Sequence, residues 1–163
     1  MERSKRSTEA PDPSTDKELK DTLWKAADKL RGSMDASQYK DVVLGLVFLK
    51  YVSDAFTERS EQLRSELTAQ GFDVEAIAET MDDPDEFTGS GVFWVPEEAR
   101  WPHLVQMAKV NDRTTIGQRL NEAMDLLMHD NPSLAGTLPR VFNQTQVDQR
   151  RLAELLDLLN SVQ

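Results

Sequence analysis

Cysteine is missing from this 163-residue chain, so disulfides and thiolate metal sites are excluded and the composition fits a reducing compartment. Histidine is scarce. His103 and His129 stand far apart, neither in a metal-ligand spacing, and each reads as a surface or helix-cap residue. No apolar stretch reaches the ~20 residues that a membrane span needs. The N-terminus carries Arg3, Lys5 and Arg6 with no apolar segment behind them, so it is not a secretory signal, and the expected location is cytoplasmic. Nucleophile elbow, P-loop and dinucleotide glycine pattern are all wanting. These absences leave no catalytic constellation, no metal site and no cofactor site in the chain itself.

What is present is a helical pattern with a core of ample size, expected to form one domain. Hydrophobic residues make up 39%, which rules out a disordered polypeptide. The expected fold is mainly all-α, a multi-helix bundle around one long central helix. That helix is predicted over residues 35–71, capped by Asp35 and stopped by Gly71. From Val42 to Leu49 every residue but Gly45 is apolar, a pattern that leaves no face for water and predicts a buried hub containing Val43, Leu46, Val47 and Leu49. Gly45 costs roughly 1 kcal/mol against alanine in a helix. A close crossing by another backbone is the expected compensation.

Before the hub, residues 1–14 read as a flexible tail, and residues 15–163 as the domain. Thr15 and Glu18 form a capping box, and Leu19, Leu23, Trp24, Ala27 and Leu30 share the face of a first helix that Gly32 ends, with Trp24 as a core anchor. After the hub a short helix is expected over Asp73–Thr80, then an exposed loop from Met81 to Gly91. Val92 to Pro96 is the convincing extended run, with Glu97–Arg100 as one turn and a bend at Trp101-Pro102. A helix from Thr115 carries Ile116, Leu120, Ala123, Met124, Leu127 and Met128 and closes at His129–Pro132. The segment Leu134–Phe142 is apolar but broken, and Val147–Ser161 is amphipathic with Leu152, Leu155, Leu156, Leu159 and Val162 on one side. That last helix runs almost to the final residue without a stop signal, which predicts a cut polypeptide or one that continues.

The net charge of −10 argues against a DNA-coating protein. The charge is unevenly placed, however: residues 71–100 hold nine acids against Arg100 alone, and elsewhere the signs nearly cancel. A local basic face is compatible with this balance. Three tempting features carry bland readings. Gly89-Ser90-Gly91 is a turn before it is a phosphate cradle, the acids from Asp82 to Glu86 are a solvated loop before they are a calcium site, and Phe93, Trp94 and Trp101 are a packed cluster before they are a base-stacking platform. Asp130-Asn131-Pro132-Ser133 is similar to the tetrapeptide with which amino-methyltransferases hold a flipped base. It lacks the second proline and the aromatic, so it reads as a helix terminator.

The segment from Leu19 to Phe56, above all Leu-Trp-Lys-Ala-Ala-Asp-Lys-Leu-Arg-Gly at residues 23–32, closely resembles the N-terminal domain of the modification (M) subunits of type I restriction–modification systems. The blocks at residues 91–96, 99–101, 116–118, 136–140 and 148–152 agree as well. The resemblance implies a parent protein that transfers methyl from S-adenosylmethionine to adenine N6 in DNA. It would work in a complex of two M subunits and one specificity (S) subunit, joined by restriction subunits for cleavage. It also implies a helical domain preceding a Rossmann-like catalytic domain, helping to enclose double-stranded DNA. The motifs of that second domain are not in this sequence, so this chain alone is expected to bind no cofactor and to methylate nothing. Candidate phosphate contacts are Lys25, Lys29, Arg31 and Lys40 around the first helix corner, with Arg140, Arg150 and Arg151 beside the last helix. A purely structural module that holds subunits together without touching DNA is the alternative.

Overall fold

The computed structural model describes residues 21, 24–32, 34–110 and 112–161. The tail over residues 1–14, the capping box, Leu19, Leu23 and Val162 lie outside the described residues. Helical residues 24–31 (α1) turn at Gly32, whose φ of +42° suits a residue without Cβ, and feed a 34-residue helix, Ala36–Ala69 (α2). Asp35 caps α2 by accepting a hydrogen bond from the Gln38 amide at 2.8 Å, and Gly71 leaves it at φ +84°. The remaining helices are Val74–Met81 (α3), Asp85–Thr88 (α4), Trp101–Met107 (α5), Ile116–Asp130 (α6) and Gln149–Asn160 (α7). Among the described residues there is no strand, and the fold is all-α.

One core runs the length of α2. Val42, Leu46, Leu49, Val52 and Phe56 are buried against α5, α6 and α7, and Leu63 and Leu67 continue the stripe toward α3. Each fully buried leucine is worth about 2 kcal/mol. The expectation that Gly45 marks a close approach holds in part. A Cβ there would lie 2.6 Å from Phe142 Cζ and 3.3 Å from Met124 Cε, so side chains, rather than a crossing backbone, fill the space that glycine leaves. The same residue, Phe142, explains a glycine that periodicity passes over: a Cβ on Gly117 would run into the Phe142 carbonyl. The irregular strap between α6 and α7 is pinned there. The Phe142 amide donates to Asn121 Oδ1 at 3.2 Å, and Gln149 Nε2 donates to the Phe142 carbonyl at 2.9 Å.

Several local expectations need correcting. Residues 81–91 are more than an exposed loop. Asp83 accepts a hydrogen bond from the Asp85 amide at 3.0 Å, α4 forms, and Phe87 is completely buried, stacked on Phe56 with ring centroids 4.5 Å apart. Trp101-Pro102 does not bend the chain but begins α5, because proline fits the first helical turn, where an amide would have no partner. The Trp101 amide is instead satisfied by Ser53 Oγ on α2, at 2.7 Å in the buried interior. Trp94 and Trp101 are buried as expected, Trp94 packing edge-on against Phe56 and Phe87. The three aromatics at 93–101 therefore belong to the core cluster and its edge, with Phe93 half-buried near Phe48.

Three of the predicted core residues are not core. Trp24 is 65% exposed, Val47 is 47% exposed and Val43 is only half-buried. Leu44 and Tyr51 are also exposed, so the unbroken apolar run of α2 does leave a face uncovered. The reason is geometric. Eight successive residues point in every direction around a helix, and α5, α6 and α7 cover only the side carrying Val42, Leu46 and Leu49.

Candidate interaction site

The uncovered face lies on the N-terminal half of α2. Leu44, Val47 and Tyr51 follow one another by three and four residues, which lines them up along one side of the helix. A hollow opens on each flank. One, of about 230 Å³, is walled by Trp24 and Ala27 of α1, Tyr39, Val43 and Val47 of α2, and Leu155 and Leu159 of α7. The other, of about 730 Å³, runs between Leu44, Phe48 and Tyr51 and the strap residues Thr137, Leu138 and Pro139. Val47 borders both hollows. An exposed apolar ridge between apolar recesses is a surface suited to being covered by another apolar surface.

Beside this face the fold joins two groups of basic residues that are distant in sequence. Arg151 in the first turn of α7 donates from Nη1 to the Lys29 carbonyl at 2.5 Å, docking the start of α7 on the end of α1. The Arg31 guanidinium sits 5.8 Å from the Tyr39 ring centroid, and Gln38 is hydrogen-bonded to Gln144. Burial raises the Tyr39 phenol above its ordinary value, with Asp28 adding to the rise and Arg31 opposing it. Lys25, Lys29, Arg31 and Lys40 are all exposed around this corner. Arg150 lies one residue from Arg151 and reaches Glu154 at 3.7 Å, while Arg151 also approaches Asp148 at 3.7 Å. Arg140 is separate, paired with Asp125 of α6 at 2.8 Å. The fold therefore brings Arg151 to Lys29 and Arg31 to Tyr39, with Asp28, Asp148 and Glu154 as acidic neighbours, while Arg140 pairs with Asp125.

Elsewhere the geometry supplies structural roles. Asn131, in the sequence stretch akin to a base-holding tetrapeptide, is buried, and its side chain makes three hydrogen bonds. It accepts from the Trp94 amide at 3.0 Å and donates to the carbonyls of Trp94 at 2.8 Å and Leu127 at 3.0 Å. Both amide hydrogens are used, so no donor is left for a base. Ser90 of the Gly-Ser-Gly turn bonds the Glu86 carbonyl at 2.9 Å, closing the end of α4. His129 is an exposed residue in the last turn of α6 with Asp130 Oδ1 at 2.9 Å. Among the described residues no cluster of histidine, aspartate and glutamate suits a metal ion, and no helix is long and apolar enough to cross a membrane.

Sequence periodicity misses the apolar ridge because it cannot say which sides of a wholly apolar run find partners. The signal that finds it is the excess: Leu44, Val47 and Tyr51 are more apolar side chains than one helix needs to face one core.

Comparison with known proteins gives two findings. A family model described as the HsdM N-terminal domain matches residues 19–159. A curated relative, the type I restriction enzyme MjaIX methylase subunit of Methanocaldococcus jannaschii, is 30% identical over 151 residues. The match covers 89% of this chain and 26% of that protein, so the chain spans about a quarter of the relative's length.

Proposed function

Since the chain belongs to the HsdM N-terminal domain family, we propose that it is the helical domain through which the methylase subunit of a type I restriction–modification enzyme joins its complex and closes around DNA. The parent protein, on this reading, carries a separate Rossmann-like domain that transfers methyl from S-adenosylmethionine to adenine N6. This domain contributes no catalytic or cofactor group. The partners are the specificity subunit, a second methylase subunit and, in the full enzyme, the restriction subunits, with double-stranded DNA as the enclosed ligand and the cytoplasm as the setting.

The observation that supports the DNA side is the docking of Arg151 on Lys29, which joins the exposed cations at the end of α1 to those at the start of α7. Phosphate contacts need such a local patch rather than a positive net charge. The assembly side rests on the apolar face beside it. The alternative, a module that only holds subunits together, is favoured by the existing ion pairs of Arg140, Arg150 and Arg151, which already have acidic neighbours.

Charge reversal decides between them. In the assembled complex Arg150→Glu with Arg151→Glu is expected to weaken DNA binding and to lower the slope of log affinity against log salt by about 2, one unit per lost phosphate contact. An unchanged affinity and slope, with the variant's urea midpoint unaltered as a folding control, refutes the DNA-contacting role and leaves the structural module.

A further inference from the structure

The strap between α6 and α7 is fastened at few points for its length. From Leu138 to Gln146 the backbone amides make a single hydrogen bond among the described residues, that of Phe142 to Asn121 Oδ1 at 3.2 Å. Side chains supply further attachments, all of them exposed. Arg140 pairs with Asp125 at 2.8 Å, Thr115 donates to Asn143 Oδ1 at 2.5 Å, and Gln144 meets Gln38. Under Thr137, Leu138 and Pro139 the strap spans the hollow against α2 rather than resting on packed core. The one deep anchor is Phe142, wholly buried with its ring in the notch that Gly45 leaves. A segment with so few backbone bonds opens at a lower free energy than the core beneath it.

Gln149 makes this fastening bear on α7, of which it is the first residue. Its Nε2 donates to the carbonyls of Phe142 at 2.9 Å and Val147 at 3.3 Å. Its Oε1 accepts from the Gly117 amide of α6 at 2.7 Å. The strap cannot lift without breaking one half of this amide's bonds. Arg150 and Arg151 follow directly, and Arg151 donates to the Lys29 carbonyl. We propose that residues 138–151 form a clasp that opens as one unit while the rest of the domain stays folded, releasing Phe142 from its notch and the first turn of α7 from α1 together.

The consequence rests on the DNA-side reading of Arg150 and Arg151. The shut clasp holds both arginines in one place, and the open clasp does not. A contact that presses Leu138 and Pro139 onto α2 therefore strengthens phosphate binding at α7, and phosphate binding shuts the strap by the same factor.

The chain has no cysteine, so one introduced thiol reads the opening directly. Val147 and Val52 are both buried, in the strap and in α2, and cysteine is a small apolar substitute for each. Thiol labelling is followed against urea, with reagent dilute enough that reclosing outpaces reaction. The rate for Val147→Cys should rise more shallowly than that for Val52→Cys, because the slope scales with the surface exposed. Equal slopes mean that the strap opens only when the domain unfolds, and overturn the clasp. Adding Arg151→Ala to Val147→Cys should speed labelling about 3-fold, the worth of one exposed charged contact. An unchanged rate means that the start of α7 stays docked while the strap lifts, and overturns the coupling. Hydrogen exchange on the unsubstituted chain reads the same event without a cysteine. The Gly117 and Phe142 amides, each held by one side chain, should share a urea slope below that of the Leu49 amide; unlike slopes overturn the single unit. None of these readings uses DNA. A clasp that passes them, in a chain whose arginine variants leave the salt slope of the assembled complex unaltered, stands while the DNA-side reading falls.

Discussion

Replacing Asn131 by alanine would test whether one side chain holds the extended segment onto the helical core. The amide of Asn131 makes three hydrogen bonds in a site where the residue is only 4% exposed. Their losses are unequal. The Leu127 carbonyl keeps the Asn131 backbone amide at 3.0 Å, so it remains satisfied after truncation. The buried Trp94 amide and carbonyl lose the partner that ties them to α6. An orphaned buried group costs about 1–3 kcal/mol, so Asn131→Ala should destabilise the domain by about 3 kcal/mol. With a urea dependence of about 2 kcal/mol/M, the midpoint should fall by ~1.5 M. A fall below ~0.5 M would mean that water or a backbone shift replaces the amide, and would refute the claim that Asn131 fastens residues 92–95. Asn131→Asp sharpens the test. It keeps the acceptor for the Trp94 amide but sets a carboxylate against two carbonyls. Such a group is held protonated by the fold, so its penalty is small below the unfolded carboxyl value near 4 and grows as pH rises through the higher folded value. A variant equally destabilised at acid and neutral pH would contradict the geometry.

Three further substitutions probe other joints. Gly45→Ala gains about 1 kcal/mol of helix propensity but forces the Phe142 ring to move, an overpacking cost of about 2 kcal/mol, so a net loss of about 1 kcal/mol is expected in urea unfolding. Gly117→Ala meets a carbonyl rather than a ring edge, and the carbonyl is pinned by Gln149, so its loss should be the larger of the two; the reverse order would show that the strap yields more easily than the core. Ser53→Ala removes the acceptor of the Trp101 amide at the buried start of α5 and should cost about 1–2 kcal/mol, which differential unfolding against the wild-type chain would register.

Much of the architecture could be read from local chemistry. Asp35 was legible as the cap of α2, and Asp73, Thr115 and Asp148 cap their helices by the same chemistry, the last placing the start of α7 at Gln149 rather than Val147. The leucines of α7 and the Ile116–Leu127 stripe of α6 were equally legible, because a partly polar helix declares its buried side. What resisted reading depends on long-range pairing. Proline at 102 has the same local signature at a bend and in a first helical turn, and Ser53, 48 residues away, decides which it is. Phe87 stands among acids and glycines, and only the tertiary position of Phe56 and Trp94 makes its burial profitable. The candidate site divides along the same line. The seven cations were visible, but the meeting of Arg151 with Lys29 follows from α7 docking on α1. The exposed ridge was hidden inside a run too uniformly apolar to have a visible inside and outside.

The length of α2 has a consequence of its own. A helix of 34 residues is about 50 Å from end to end. Its first turns stand beside the end of α1, where Arg31 sits over Tyr39, while Leu63 and Leu67 near its far end lie toward α3, which begins the segment that concentrates the acids. The separation is several times the ~8 Å over which salt at physiological strength damps a field. Charges at one end of α2 are therefore screened from those at the other. A substitution that changes the charge at one end of α2 thus leaves the field at the other end nearly unaltered.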